Sequence, residues 1–330
     1  MSSYIVTILT LVCIASILGF ALNLQWGLCG MVNFGMSGYF ALGAYTAAIV
    51  ALSGAGTLAA TLAAAAACAL ACGLTAVVSL RLSDEYLAIL TLGFGEIIRL
   101  ITLSEEWLTG GSLGLPGIPR PLWGLVSEKN YDTLFLALLV LVVLALFLAL
   151  EVLLRSPFGR AIRAVREDDV VTATLGKNVT LLRVKAFALG GAIIGIAGAF
   201  HAFYLTYVDP SQFSAIVTAY TFMAVIAGGR GSNKGLLFGA ATIMFLVEGS
   251  RFLKDMIEVF DATQLASIRL ILIGLGLILF LIYRPQGFMP EHRTKAADLL
   301  GHAPAPELQE NNANGQQASG LQTSPLPPGR

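Results

Sequence analysis

The chain has 330 residues, no formal net charge, 56% apolar residues and only 12% charged ones, and its first 80 residues contain no Asp, Glu, Lys, Arg or His. No water-soluble fold sustains so long an uncharged run, so these figures exclude a soluble enzyme or binding domain and indicate an all-α, polytopic membrane protein. The balanced charge offers no footprint for a nucleic acid.

A hydrocarbon core about 30 Å thick takes about 20 apolar residues as helix. Residues 3–22 are the first candidate span; they follow no positive n-region and run straight into more apolar sequence, so we expect a retained span and not a cleaved leader. Residues 23–50 place Gly27, Gly30, Gly35, Gly38 and Gly43 among aromatics, with Asn23, Gln25 and Asn33. That is too much glycine for one uninterrupted helix and predicts a broken or re-entrant element, followed by a helix from about Gly38. Residues 57–80 form an alanine-rich span, packable through small side chains. A charged turn at 81–85 leads into a span at 86–103. Residues 104–132 are polar and punctuated by Gly and Pro, which predicts an extramembrane loop. Residues 133–150 are the cleanest span.

Residues 155–185 are the longest strongly charged interruption, carrying Arg155, Arg160, Arg163, Arg166, Lys177, Arg183 and Lys185 against Glu167, Asp168 and Asp169. Positive charge beside span ends resists translocation, which places this loop in the cytoplasm. Phe158, Ala161, Ile162 and Val165 share one helical face. Asp168 or Asp169 can cap a second short helix over 170–175, and Gly176 supplies its stop. A short amphipathic helix turned to the cytosol is a means of docking a soluble partner; a merely solvated positive-inside loop is the plainer alternative. Further spans follow at 186–208, 213–229, 235–252 and 264–283, for about eight or nine crossings. We assign residues 1–290 to a transmembrane domain and residues 291–330, polar and poor in aromatics, to a disordered cytoplasmic tail. With the 155–185 loop inside, alternation leaves most of the 20 Lys and Arg inside as well.

Glycine-rich breaks occur in both halves: Asn33, Gly35, Gly38 and Gly43 in the first, Gly228, Gly229 and Gly231 in the second. Interrupted segments in both halves point to a translocation pathway, while glycine that merely allows close helix packing is the competing reading. Two acid–base pairs, Glu96 with Arg99 and Glu248 with Arg251, are spaced to neutralise each other on a helix. They are either a gate or relay, or structural pairs. His201 is expected to be a hydrogen-bonded interior residue, and Cys13, Cys29, Cys68 and Cys72 small packing residues; no metal site is expected. No GxxxxGKS/T phosphate loop and no catalytic constellation stands out. A chain without its own motor but with a cytoplasmic docking helix suggests a subunit driven by a partner.

Six blocks now carry a resemblance, in order along residues 22–289: LNLQWGLCGMVNFGMSGYFALGAYTAAI; YLAILTLGFGEIIR with TGGSLGLPGIP; RSPFGRAIRAVREDDVVTATLGKNV; FALGGAIIGIAGAFHA; AGGRGSNKGLLFGA; and YRPQGFMP. Together they resemble the permeases of branched-chain amino-acid ABC importers, in particular the LivM-like half of the permease pair. Met36 departs from the pattern, standing where many members have His. The resemblance implies an ABC importer permease fold in the bacterial inner membrane. It implies a LivH-like second permease, two ATPase subunits that bind ATP and Mg, and a periplasmic amino-acid-binding protein as partners, besides membrane lipid. It also implies that residues 167–176 seat in a groove of an ATPase, with Arg163, Glu167, Val171, Leu175 and Gly176 as coupling residues. No cofactor is expected in this chain, and no enzymatic activity of its own. Related permeases carry urea and short amides, and an ion-coupled secondary transporter or a membrane enzyme would be different classes of answer.

Overall fold

The computed structural model describes residues 2–79, 84–123, 130–256, 271, 274–275 and 287–289. Most of the span expected at 264–283, the tail expected from 291 and the side chain of Arg251 lie outside the described residues. Helix α1 (Ser2–Leu22) does not stop where expected but continues as a π-helical turn, Asn23–Leu28. Helices α2 (Met36–Leu52), α3 (Thr57–Val78) and α4 (Asp84–Ser104) follow, then a short α5 (Glu106–Thr109) and α6 (Tyr131–Arg155). Beyond them lie α7 (Pro157–Glu167), α8 (Asp169–Thr174), α9 (Val179–Leu205), α10 (Ala215–Gly228) and α11 (Asn233–Met256). Among the described residues five helical stretches are long and apolar enough to cross a membrane: 4–28, 57–78, 86–104, 131–155 and 179–205.

The expected break at 23–50 is real and separates α1 from α2. The π turn ends α1 beside α7, the chain turns over residues 29–35, and α2 returns toward the opposite end. Residue 2 therefore lies at the end away from α7 and α8. The charged loop is shorter than expected. Helix α9 begins at Val179, which puts Arg183 and Lys185 on the spanning helix itself.

Small residues set the helix spacing. Along α3, Ala60, Ala64, Cys68, Cys72 and Ala76 recur every four residues and are fully buried. They face Gly191 and Gly195 of α9; a methyl group at Gly195 would lie 2.3 Å from the Ala64 carbonyl oxygen. Without water to drive apolar burial, such close backbone approach is what holds spanning helices together. Helix α2 crosses α4 in the same way, where a methyl at Gly38 would meet Gly95 Cα at 2.3 Å.

Away from α7, the segment after α5 forms a short antiparallel pairing, β1 (Leu115–Pro116) with β2 (Tyr207–Val208), in the register Leu115 to Val208 and Pro116 to Tyr207. The Tyr207 hydroxyl donates to the Leu113 carbonyl at 2.8 Å. No pattern in 104–132 predicts this pairing, because its partner lies beyond two intervening spans. After β2, Asp209 caps a 3-10 turn, Pro210–Phe213, accepting from Ser211 N at 2.8 Å and Gln212 Nε2 at 2.7 Å. His201 Nε2 lies 3.2 Å from Gln212 Oε1, inside the protein as expected.

Burial pushes the Asp209 carboxyl up, but the bonds donated by Ser211 and Gln212 outweigh it and hold the group below its ordinary value of 3.8. A carboxylate lowered in the folded state adds stability that is fully present above the unfolded value and is lost as pH falls through the folded one. Asp209→Asn should therefore lower the thermal unfolding midpoint by a constant amount from pH 5 to 8, the gap closing only in acid below pH 3.8. Unfolding in detergent at several pH values measures this; a gap that changes between pH 5 and 8 would contradict it.

Candidate functional site

At the end bearing α7 and α8, three separate pieces of chain meet. The first is the corner after α6. Ser156 caps α7, its Oγ accepting from Gly159 N at 3.3 Å, and Pro157 opens the helix where its missing N–H leaves no bond unmade. Gly159, Ile162 and Val165 are buried, with Phe158 and Ala161 half-buried beside them, which is the expected face. Arg163 Nη2 donates to the Leu154 carbonyl and Arg160 Nη1 to that of Arg155, each at 3.0 Å. Both cations thus satisfy open carbonyls at the C-terminus of α6 and suit its dipole. The angle between α6 and α7 is held from both sides.

Helix α8 follows without a loop. Asp168 caps it by accepting from Val171 N at 2.9 Å, and Gly176 ends it with φ of 76°. Its Thr172 is buried, and an ion pair of 3.2 Å between Asp169 and Arg183 ties it to α9. Val170, Val171 and Leu175 are exposed by 69%, 53% and 73%, and Glu167 is exposed beside them. The helix thus projects an aliphatic surface on a braced mount.

The second and third pieces are the two glycine breaks, and they touch. Asn23 Nδ2, in the π turn, donates to Asn233 Oδ1 at 2.9 Å, and Asn23 Oδ1 accepts from Gly231 N at 2.8 Å. A Cβ at Gly27 would come within 3.0 Å of Gly231 N, so only glycine lets the backbones approach so closely. Arg230 Nη2 donates to the Trp26 carbonyl at 3.2 Å, and its guanidinium lies 4.7 Å from the centre of the Trp26 ring. Asn23, Asn233 and Gln25 are buried, where hydrogen bonds to apolar-phase partners carry full weight. Asn233 Nδ2 has no hydrogen-bond partner among the described residues. A buried donor left open costs about 1–3 kcal/mol, which a rearranged junction would recover.

The closing motif completes the junction: Phe288 N donates to the Ala227 carbonyl at 2.9 Å and Met289 N to that of Gly228 at 3.1 Å. These bonds satisfy carbonyls that the end of α10 leaves open. Arg166 of α7 then donates through Nη1 to the Gly27 carbonyl. One side chain thus links the braced corner to the first break, and Asn23 links the first break to the second.

The other expected pathway residues sit close by. Asn33 bridges the turn, donating to Gln25 Oε1 and accepting from Gly35 N, both at 2.9 Å, while Gln25 Nε2 donates to the Phe187 carbonyl at 3.0 Å. Gly35 abuts the Thr91 carbonyl, Gly38 abuts Gly95, Gly43 abuts Gly195 and Gly228 abuts Gly235; each is a backbone crossing point. Gly229 and Gly231 take φ of 109° and 87° in the turn between α10 and α11. Trp26, Phe34 and Phe222 cluster, with ring centres 5.2 and 4.9 Å apart, and Phe34 is exposed. Met36 is fully buried at the start of α2.

The charged pairs stand elsewhere. Arg99 Nε lies 3.0 Å from both Glu96 carboxylate oxygens, on the outward face of α4 away from the junction. Glu248 is buried on α11. Arg166, Asn23 and Asn233 are the functional candidates that sequence reasoning passed over. Arg166 reads as one cation among several, and Asn23 and Asn233 are 210 residues apart. The one available signal is a buried-type polar residue beside a glycine turn in each half.

A family described as the permease component of branched-chain amino acid transport systems matches residues 4–281. The chain is 34% identical to the high-affinity branched-chain amino acid transport system permease protein LivM of Salmonella typhimurium, over 95% of this chain and 74% of the relative. The LivM of Escherichia coli gives the same figures. The probable branched-chain amino acid transport permease of Methanocaldococcus jannaschii is 29% identical over 64% of this chain and 62% of its own. No solved structure matches. The chain belongs to the branched-chain amino acid transport permease family.

Proposed function

We propose that this chain is one of two membrane-spanning subunits of an ATP-driven importer in the bacterial inner membrane, moving branched-chain or related apolar amino acids inward. In this reading the α7–α8 end and the C-terminal tail are cytoplasmic, as the concentration of Arg and Lys there favours. The pairing of β1 with β2 then faces outward, where a binding protein would deliver substrate. ATP and Mg belong to the two ATPase subunits.

The observation that carries the proposal is α8. A helix held by its cap, by Thr172 and by the Asp169–Arg183 pair has no need of three exposed aliphatic side chains unless something covers them. Val171 and Leu175 would fill an ATPase groove, Gly176 would let the chain reverse, and Glu167 would lie at the rim. Arg163 fixes the mount by its bond to Leu154. Movement of the ATPase would tilt α7 as a rigid lever, and Arg166 would pass that tilt to Gly27. The Asn23–Asn233 contact would carry it to the second break, the turn between α10 and α11. The glycine segments with Asn33 would shape a pathway there, held by backbone groups with little side-chain chemistry, as an apolar amino acid requires.

Uptake of radiolabelled leucine into vesicles tests this, with the chain reconstituted beside its second permease, ATPases and binding protein. Uptake should require ATP and be competed by isoleucine and valine. ATP-dependent uptake of another solute alone would keep the class and overturn the substrate. Uptake that ignores ATP and follows the proton gradient would overturn the importer itself.

A further inference from the structure

We propose that a groove on the outer flank of the protein binds one anionic phospholipid, its headgroup at Lys185 and an acyl chain along the face of α9 that lies open between α3 and α6. The groove has a volume of about 400 Å³ and is lined by Ala69, Leu153, Phe158, Ala188, Leu189 and Ala192, with Lys185 contributing the charge. That volume lies within the range of about 300–1,000 Å³ usual for small-molecule sites.

The layout suits a lipid. Lys185 and Ala192 are seven residues apart on α9, about 10 Å along the axis, so the cation stands at one end and the alanine floor runs away from it. Lys185 sits six residues into the helix, at a depth from which a lysine reaches a headgroup by extending its stem. Among the described residues no carboxylate pairs with Lys185, whereas Arg183, two residues earlier, is paired with Asp169. Leu153 and Phe158 bracket the α6–α7 corner, which adds the exposed Arg155 and Arg160 on the same side of the membrane. Glu151, the carboxylate nearest to them in sequence, is half-buried and forms no ion pair with these cations. Basic pockets between spanning helices on the cytoplasmic side are where anionic headgroups bind.

The surroundings decide between a lipid and a protein helix. The groove opens between α3 and α6, two spans that are mostly not buried inside the protein. Their outer faces carry Leu58, Leu62, Leu70 and Leu74 on α3 and Leu141, Leu144 and Leu148 on α6, all exposed. That surface is dominated by leucine, which suits acyl chains, with alanines between the leucines and on the groove floor. The aromatic cluster at Phe34 and Phe222, in contrast, lies on α10 and the first break.

The proposal needs only the membrane setting and would survive failure of the importer reading. Its test uses the assembled transporter, taken up in mild detergent from vesicles of equal phosphatidylglycerol and phosphatidylcholine. Retained lipid is then measured by mass spectrometry. The wild type should retain phosphatidylglycerol in excess, and Lys185→Gln should lower that excess about five-fold, the effect of one cation near the surface. Ala192→Phe, which fills the floor, should lose the retained lipid, and Lys177→Gln, outside the groove, should change nothing. Lys185 is exposed, so its loss leaves folding intact. No excess in the wild type, an unchanged Lys185→Gln, or an equal loss in Lys177→Gln would each overturn the site.

Discussion

Leu175→Asp is expected to leave the chain folded and inserted while lowering ATP-driven uptake about ten-fold or more. Leu175 is 73% exposed, so an aspartate there meets water in the isolated chain and disturbs no packing. Seated in a partner's apolar groove, the same carboxylate would be desolvated without a counter-charge. That penalty is of the size that removes a docking anchor, and about 1.4 kcal/mol of lost docking already corresponds to ten-fold weaker association. Val171→Asp, one turn earlier on the same exposed surface, should act alike, and Leu175→Met should retain most activity. Two readouts separate the explanations: the amount of chain in the membrane, and the ATPase subunits that co-purify with it. Normal membrane content with lost ATPase is the expected pair. Uptake within two-fold of wild type would remove α8 from the coupling surface.

Asn23→Leu is expected to have the largest effect on stability of any single change at the junction. It orphans Gly231 N and Asn233 Oδ1 together, and each buried group left open costs about 1–3 kcal/mol. The loss should appear as a fall of several degrees in thermal unfolding of the assembled transporter, with uptake falling as well because the two breaks no longer move together. Replacing both residues, Asn23→Leu with Asn233→Leu, removes a donor–acceptor pair outright and also the open Nδ2 of Asn233. The double variant should therefore be more stable than the sum of the single losses predicts, by about 0.5–3 kcal/mol of coupling. Its uptake should stay low, since stability is regained but the link is not. Strict additivity of the two changes would show that the contact carries no energy of its own. A double variant with full uptake would show that the junction transmits nothing.

These expectations rest on parts of the molecule that were unequally visible in the chain. The sequence by itself determined the membrane class, because an uncharged run of 80 residues leaves no other medium in which to fold. It determined the apolar face of α7, the short helix after it and the stop at Gly176, since faces, caps and stops are local chemistry, while the Ser156 cap and the choice of Asp168 over Asp169 came from the structure. It located both glycine breaks, because glycine content is also a local property. It placed the end of the first span and the start of α9 wrongly, by six and seven residues. At Asn23 and Gln25 polar side chains found buried partners that let the helix run on as a π turn, and at Arg183 and Lys185 charged residues extended from a helix instead of a loop. Only the tertiary structure decided that the two breaks meet and that Arg166 reaches the first of them. It alone showed the closing motif docked on Ala227 and Gly228, and several of the conspicuous glycines seated at helix crossings. Each of these is a contact between residues far apart in the chain, and in a membrane such contacts are specified by shape and paired polar groups, which leave no periodic trace along the sequence.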